Sequence, residues 1–115
     1  SLGAAPDAAD NPAGATAVYL AAQYGRSSIV KVLAKCGASI DRPDNCGVTP
    51  VWMASQGGHA DTVNAFIQLG AKLDMPNPSD GYTAMLRAAS KGHVEVVKAL
   101  AKGKGKGKGQ GKGKN

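Results

Sequence analysis

His59, His93, Cys36, Cys46, Asp41 and Asp74 are the side chains of this 115-residue chain whose types could hold a metal, a nucleophile or a proton in transit. Their spacing argues against each. The two histidines sit in matching pairs, Gly58-His59 and Gly92-His93. If the stretches around them stack as helices, the rings lie roughly 10 Å apart, too far to share an ion directly. A turn role, bonding the backbone of a neighbouring unit, is the expectation. Cys36 and Cys46 have no His or third Cys at metal-ligand spacing, so they read as buried or idle thiols, with redox sensing the alternative. Asp41 and Asp74 hold equivalent loop positions with no partner carboxylate for acid–base work, as solvated turn anchors would. No Ser-His-Asp or Cys-His arrangement occurs. The Gly-Lys pairs near the end make no phosphate loop, because no Ser or Thr follows the lysine and no strand precedes it. The expectation is a protein that is not an enzyme and needs neither metal nor cofactor.

The elements that position these residues repeat. Gly14-Ala15-Thr16-Ala17-Val18-Tyr19-Leu20-Ala21-Ala22 returns as Gly47-Val48-Thr49-Pro50-Val51-Trp52-Met53-Ala54-Ser55, and again as Gly81-Tyr82-Thr83-Ala84-Met85-Leu86-Arg87-Ala88-Ala89. Gly25-Arg26, Gly58-His59 and Gly92-His93 keep step with it. The intervals are 33 and 34 residues, within the range of solenoids, where each unit buries its apolar face only against its neighbours.

Charge is as unevenly distributed as the chemistry. The formal +6 resides in the last fourteen residues, since residues 1–101 balance eight Lys and Arg against eight Asp and Glu. Lys102, Lys104, Lys106, Lys108, Lys112 and Lys114 alternate mainly with glycine. Such a segment cannot offset its chain entropy and is expected to be disordered, spanning roughly 20 Å as a coil. Its attraction to phosphate or acidic surfaces would be weak and salt-sensitive, and no aromatic is interleaved to stack on bases. Two cysteines without a disulfide framework suggest a reducing compartment, cytoplasm or nucleus. No run reaches the length of a membrane span.

Within the middle unit, Asp44-Asn45-Cys46-Gly47 is a turn sequence. Thr49 stands at a helix N-cap with Pro50 in the first turn, giving a short helix over Val51–Gln56 that Gly57-Gly58 ends. Asp61 or Thr62 begins a second helix with an apolar stripe at Val63, Phe66 and Ile67, and Gly70 stops it. Val30 and Leu33, then Val97 and Leu100, take the stripe positions in the flanking units.

Turn, short helix, turn, longer helix and extended loop in this order resemble the ankyrin repeat, whose pattern Gly47–Ala71 and Gly92–Lys98 follow closely. The resemblance covers about residues 3–101. It implies an all-α ankyrin-repeat solenoid of stacked helix-turn-helix units joined by hairpin-like loops. The family's first-helix His is replaced by Tyr19, Trp52 and Leu86, which implies more apolar packing and less polar pinning between units. Leu2-Gly3-Ala4 reads like Leu69-Gly70-Ala71. The chain is therefore expected to open at the end of a preceding repeat, leaving an unpaired apolar face on the first full unit. The expected organisation is an opening segment 1–13, repeats 14–46, 47–80 and 81–101, and a tail 102–115.

The resemblance further implies protein–protein recognition by turn tips and first helices on a concave face. Carried over by position, that face takes in Gln23, Tyr24, Asn45, Val48, Gln56, Ser79, Tyr82 and Lys91. Trp52 and Tyr19 fall in the family's inward slot, as core packing. The expected partner is another protein rather than a small molecule. Three alternatives stay open: a tether to nucleic acid or acidic surfaces through the lysine tail, a targeting module of a larger enzyme, and a structural subunit of an assembly.

Overall fold

The computed structural model describes residues 14–107. Six helices run in order: α1 (Ala17–Gln23), α2 (Ser27–Lys35), α3 (Pro50–Gln56), α4 (Ala60–Gln68), α5 (Ala84–Lys91) and α6 (Val94–Gly107), with no strand among the described residues. The first helices α1, α3 and α5 pack side by side in one layer, and α2, α4 and α6 in a second. The expected solenoid of three helix pairs is present, and the opening segment 1–13 lies outside the described residues.

Each first helix starts the same way. The hydroxyls of Thr16, Thr49 and Thr83 accept from the backbone N–H of Tyr19, Trp52 and Leu86 at 3.2, 3.3 and 3.2 Å, satisfying a donor that the helix leaves open. The second helices lack such a cap. α4 begins at Ala60 behind His59, which makes no side-chain cap bond, so the expected start at Asp61 or Thr62 gives way. Thr62 is fully buried and its hydroxyl finds no partner, while Asp61 lies in the first turn, where the helix dipole favours an acid.

The core runs through the units as one cluster, with Val30, Val63, Phe66, Val96 and Leu100 almost fully buried. Comparing equivalent positions shows which way each unit faces. Thr62 and Ala65 of α4 are 0% and 2% exposed, and Val96 and Ala99 of α6 are 1% and 8% exposed. Their counterparts on α2, Ile29 and Val32, are 50% and 58% exposed. Since α6 packs on α4 and α4 on α2, these positions face the previous unit. On the first unit they are bare. At the other end Leu86 is 53% exposed, whereas its counterparts Tyr19 and Trp52 are 7% and 4% exposed beneath the following turn.

The segment expected to be a tail from Lys102 is helical through Gly107. The reason lies one residue beyond Gly103. Units one and two stop their second helices at Gly37 and Gly70, which adopt φ of 91° and 83°. The equivalent position in the third unit is Lys104, whose Cβ disfavours that backbone, so the helix continues. Gly103 packs against Ile67, where an added Cβ would lie 2.8 Å from Cδ1. Residues 108–115 lie outside the described residues.

Phe66→Ala should lower the unfolding free energy by about 3–5 kcal/mol in urea titration, the usual loss for a deleted buried aromatic. Val32→Ala, on the bare face, should change it by no more than about 0.5 kcal/mol.

Candidate protein-interaction face

Hydrogen bonds cross between units in two directions and hold the first helices in register. Going forward, the Tyr19 hydroxyl donates to Asp44 Oδ2 at 2.8 Å, and Trp52 Nε1 donates to the carbonyl of Tyr82 at 2.9 Å. Going backward, Nε2 of His59 donates to the Gln23 carbonyl at 3.1 Å and Nε2 of His93 to the Gln56 carbonyl at 2.9 Å. A carbonyl only accepts, so each ring must carry its proton on Nε2. The turn role expected for both histidines is what the structure contains. The reduced polar pinning expected at Tyr19 and Trp52 is not: both are buried, and both still bond the next unit through the one donor each aromatic carries. Only Leu86 lacks such a bond, as its side chain must.

The rings leave no room opposite them. Gly25 and Gly58 adopt φ of 71° and 76°, and a Cβ on either would meet the next unit's imidazole at 2.5 or 2.8 Å. Glycine there is required twice over, by backbone and by neighbour.

The turn tips are organised by carboxylates. Asp44 Oδ1 accepts from the N–H of Cys46 and Val48 at 2.9 and 3.0 Å. Its backbone pairs with Val48, as Asn77 pairs with Tyr82 at the next turn tip, one residue farther along. That extra residue accounts for the change of interval from 33 to 34. Burial and then the Asp44 carboxylate push the Tyr19 phenol far above its ordinary pKa, since both disfavour a phenolate there.

Between these ties a column of outward positions runs across the first helices: Leu20, Met53 and Arg87, flanked by Gln23, Gln56 and Ser90. Gln23 and Gln56 are half-buried, with their carbonyls taken by the histidines. Tyr24 and Lys91 are exposed at the helix ends, Asn45 and Ser79 at the tips. Val48 does not join them. It is 7% exposed and belongs to the core, because the Asp44 turn draws it inward and its side chain is small enough to follow. Tyr82 at the same slot is too large to tuck in and is 38% exposed.

Arg87 was not among the expected site residues, yet it organises this end of the face. Its guanidinium pairs with Asp80 at 2.7 Å and lies 4.8 Å from the centre of the Tyr82 ring and 5.3 Å from that of Trp52, within cation–π range of both. The signal available in the sequence was a charge in a column otherwise filled by Leu20 and Met53. Lys102 is exposed on α6, Lys104 and Lys106 lie farther along that helix, and Lys108, Lys112 and Lys114 lie outside the described residues. Cys36 and Cys46 are exposed free thiols, so the alternative that they are buried falls away. Among the described residues no group of three His, Cys, Asp or Glu could hold a metal, and no helix is long and apolar enough to cross a membrane.

A family model for ankyrin repeats matches residues 19–110 in three copies. The chain belongs to the ankyrin-repeat family. No curated protein gives a significant match to it. Family membership explains the frame of ankyrin helix pairs, and ankyrin repeats are in general protein–protein interaction modules.

Tyr19 binds its proton more tightly folded than unfolded. Its tie is therefore fully present below about pH 10, the value of an unfolded phenol, and is lost as pH rises through the higher folded value. Tyr19→Phe should cost about 1 kcal/mol at neutral pH. Its stability should also fall less steeply than the parent's above pH 10, as read from urea titrations across that range. Gly58→Ala should cost on the order of 1–3 kcal/mol in the same assay, from the strained φ and the displaced His93 ring.

Proposed function

We propose that this chain is a non-catalytic recognition module that binds a partner protein through the concave face formed by its first helices and turn tips. The observation that carries the reading is the exposure, along one pinned layer, of side chains contributed by all three units. Tyr24 and Asn45 come from the first unit, Ser79 from the second, and Tyr82 and Lys91 from the third, with half-buried Gln23 and Gln56 beside them. Ankyrin repeats are in general protein–protein interaction modules, which agrees with a rigid frame and variable side chains. A face already ordered before binding spends little entropy on association, and exposed Tyr24 and Tyr82 are of the residue type that dominates binding energy. No cofactor enters this reading. The exposed thiols of Cys36 and Cys46 suit a reducing compartment such as cytoplasm or nucleus.

The test is affinity capture from lysate with the full chain and with a chain ending at Gly107, which spares the helix that packs on Ile67, each with and without nuclease. A protein that is retained by both chains after nuclease, and released about tenfold more readily by Tyr24→Ala or Tyr82→Ala, is the expected result. Capture that vanishes with residues 108–115 or with nuclease assigns binding to the lysines and removes this reading.

A further inference from the structure

We infer that the recognition face selects an acidic segment of its partner, with Arg87 receiving a partner carboxylate beside the Tyr82 ring; this rests on the concave-face reading above. The first helices read AVYLAAQ, PVWMASQ and AMLRAASK, so the layer that would meet a partner contains no Asp or Glu and two cations, Arg87 and Lys91, both on α5. The acids at the two turn tips are engaged within the chain. Asp44 accepts from Tyr19 and from two backbone N–H groups, and Asp80 accepts from the Tyr82 N–H at 2.9 Å and from Arg87. Both cations of the first helices thus lie on the third unit, Arg87 paired with Asp80 and Lys91 exposed at the end of α5.

Arg87 is prepared for such a ligand. Stacking near Tyr82 and Trp52 and the bond to Asp80 fix the plane of the guanidinium, so little freedom remains to be lost on binding. Among the described residues one of its five N–H donors has a partner, the bond to Asp80, and its Nε–H is buried without one. The side chain is still 23% exposed, so a terminal nitrogen can reach a second carboxylate. Leu20 and Met53 occupy the equivalent positions, and the charge is therefore specific to the third unit rather than required by the frame. Asp80 acts as an internal stand-in for the partner's acid.

The experiment is a titration of the isotopically labelled full chain, followed by the Arg87 Nε–H, Trp52 Nε1–H and backbone amide resonances. The probes are acetylated, amidated octapeptides alternating Ser with Glu, Ser with Gln and Ser with Lys, plus a single-stranded oligonucleotide. Saturable shifts at Arg87 and Trp52 with the Glu peptide alone are expected. Arg87→Gln should weaken that binding about tenfold and Arg87→Lys about threefold, since Lys keeps the charge but loses the planar fork. Asp80→Asn should tighten it about threefold by removing the competing carboxylate; a purely structural ion pair would give no change or a loss. Shifts at the same sites with the Gln or Lys peptide, or with the oligonucleotide alone, overturn the acidic preference and leave the concave face in use. Absence of any shift on the first helices with all four probes, or tightening by Arg87→Gln, overturns the inference. Retention of the concave-face reading is then decided separately by the capture experiment.

Discussion

Helices of seven and nine residues are too short to persist in water, because nucleation is unfavourable and few bonds repay it. Each of α1 to α4 exists because a neighbour covers its apolar side. The packing between units therefore determines whether there are helices at all. Tyr19 and Trp52 tie each unit forward at the turn tips, while His59 and His93 tie it backward at the helix–helix corners. The two sets grip opposite ends of the first helices and prevent neighbouring units from rotating against each other. The core between them, Val30, Val63, Phe66, Val96 and Leu100, is almost fully buried.

Electrostatics follows the same geometry. Asp44 and Asp80 sit at different positions of successive turn tips, Asn77 being the counterpart of Asp44, and one receives a buried phenol, the other a guanidinium. The difference arises at the residue each tip shelters. Where Ala15 and Val48 are tucked inward, Tyr82 stands outside and presents a ring that a cation can cover. A single enlargement of one side chain thus exposes an aromatic, recruits Arg87 and concentrates charge at the third unit.

Much of the fold was legible in the sequence because its signals are local. The repeated Gly-x-Thr needs only the N-cap bond of Thr16, Thr49 and Thr83 to be read as a helix start, and Gly70 needs only its own φ to be read as a stop. What was missed depends on contacts across units. Tyr19 and Trp52 were read as apolar replacements for a bonding histidine, since nothing local reveals that their donors reach Asp44 and Tyr82, 25 and 30 residues away. Val48 was placed on the surface by analogy of position, but its burial follows from how far the Asp44 turn contracts. Arg87 carries no local signal of its role, which lies in a stack of rings from two units. The end of α6 was misjudged for the reverse reason: the decisive residue, Lys104 in a slot for glycine, was local and visible, but the glycine-rich composition around it hid the missing stop.

The two forward ties use different acceptors, and that difference bears on how the turn tips can change over evolutionary time. Tyr19 depends on a carboxylate, so substitution of Asp44 removes its partner. Trp52 takes a main-chain carbonyl, which every amino acid supplies. The second of these tips can therefore exchange its side chains, and has accommodated an additional residue, without losing its anchor to the preceding unit. Heritable change is least constrained there, where the scaffold asks for a backbone and not for a particular residue.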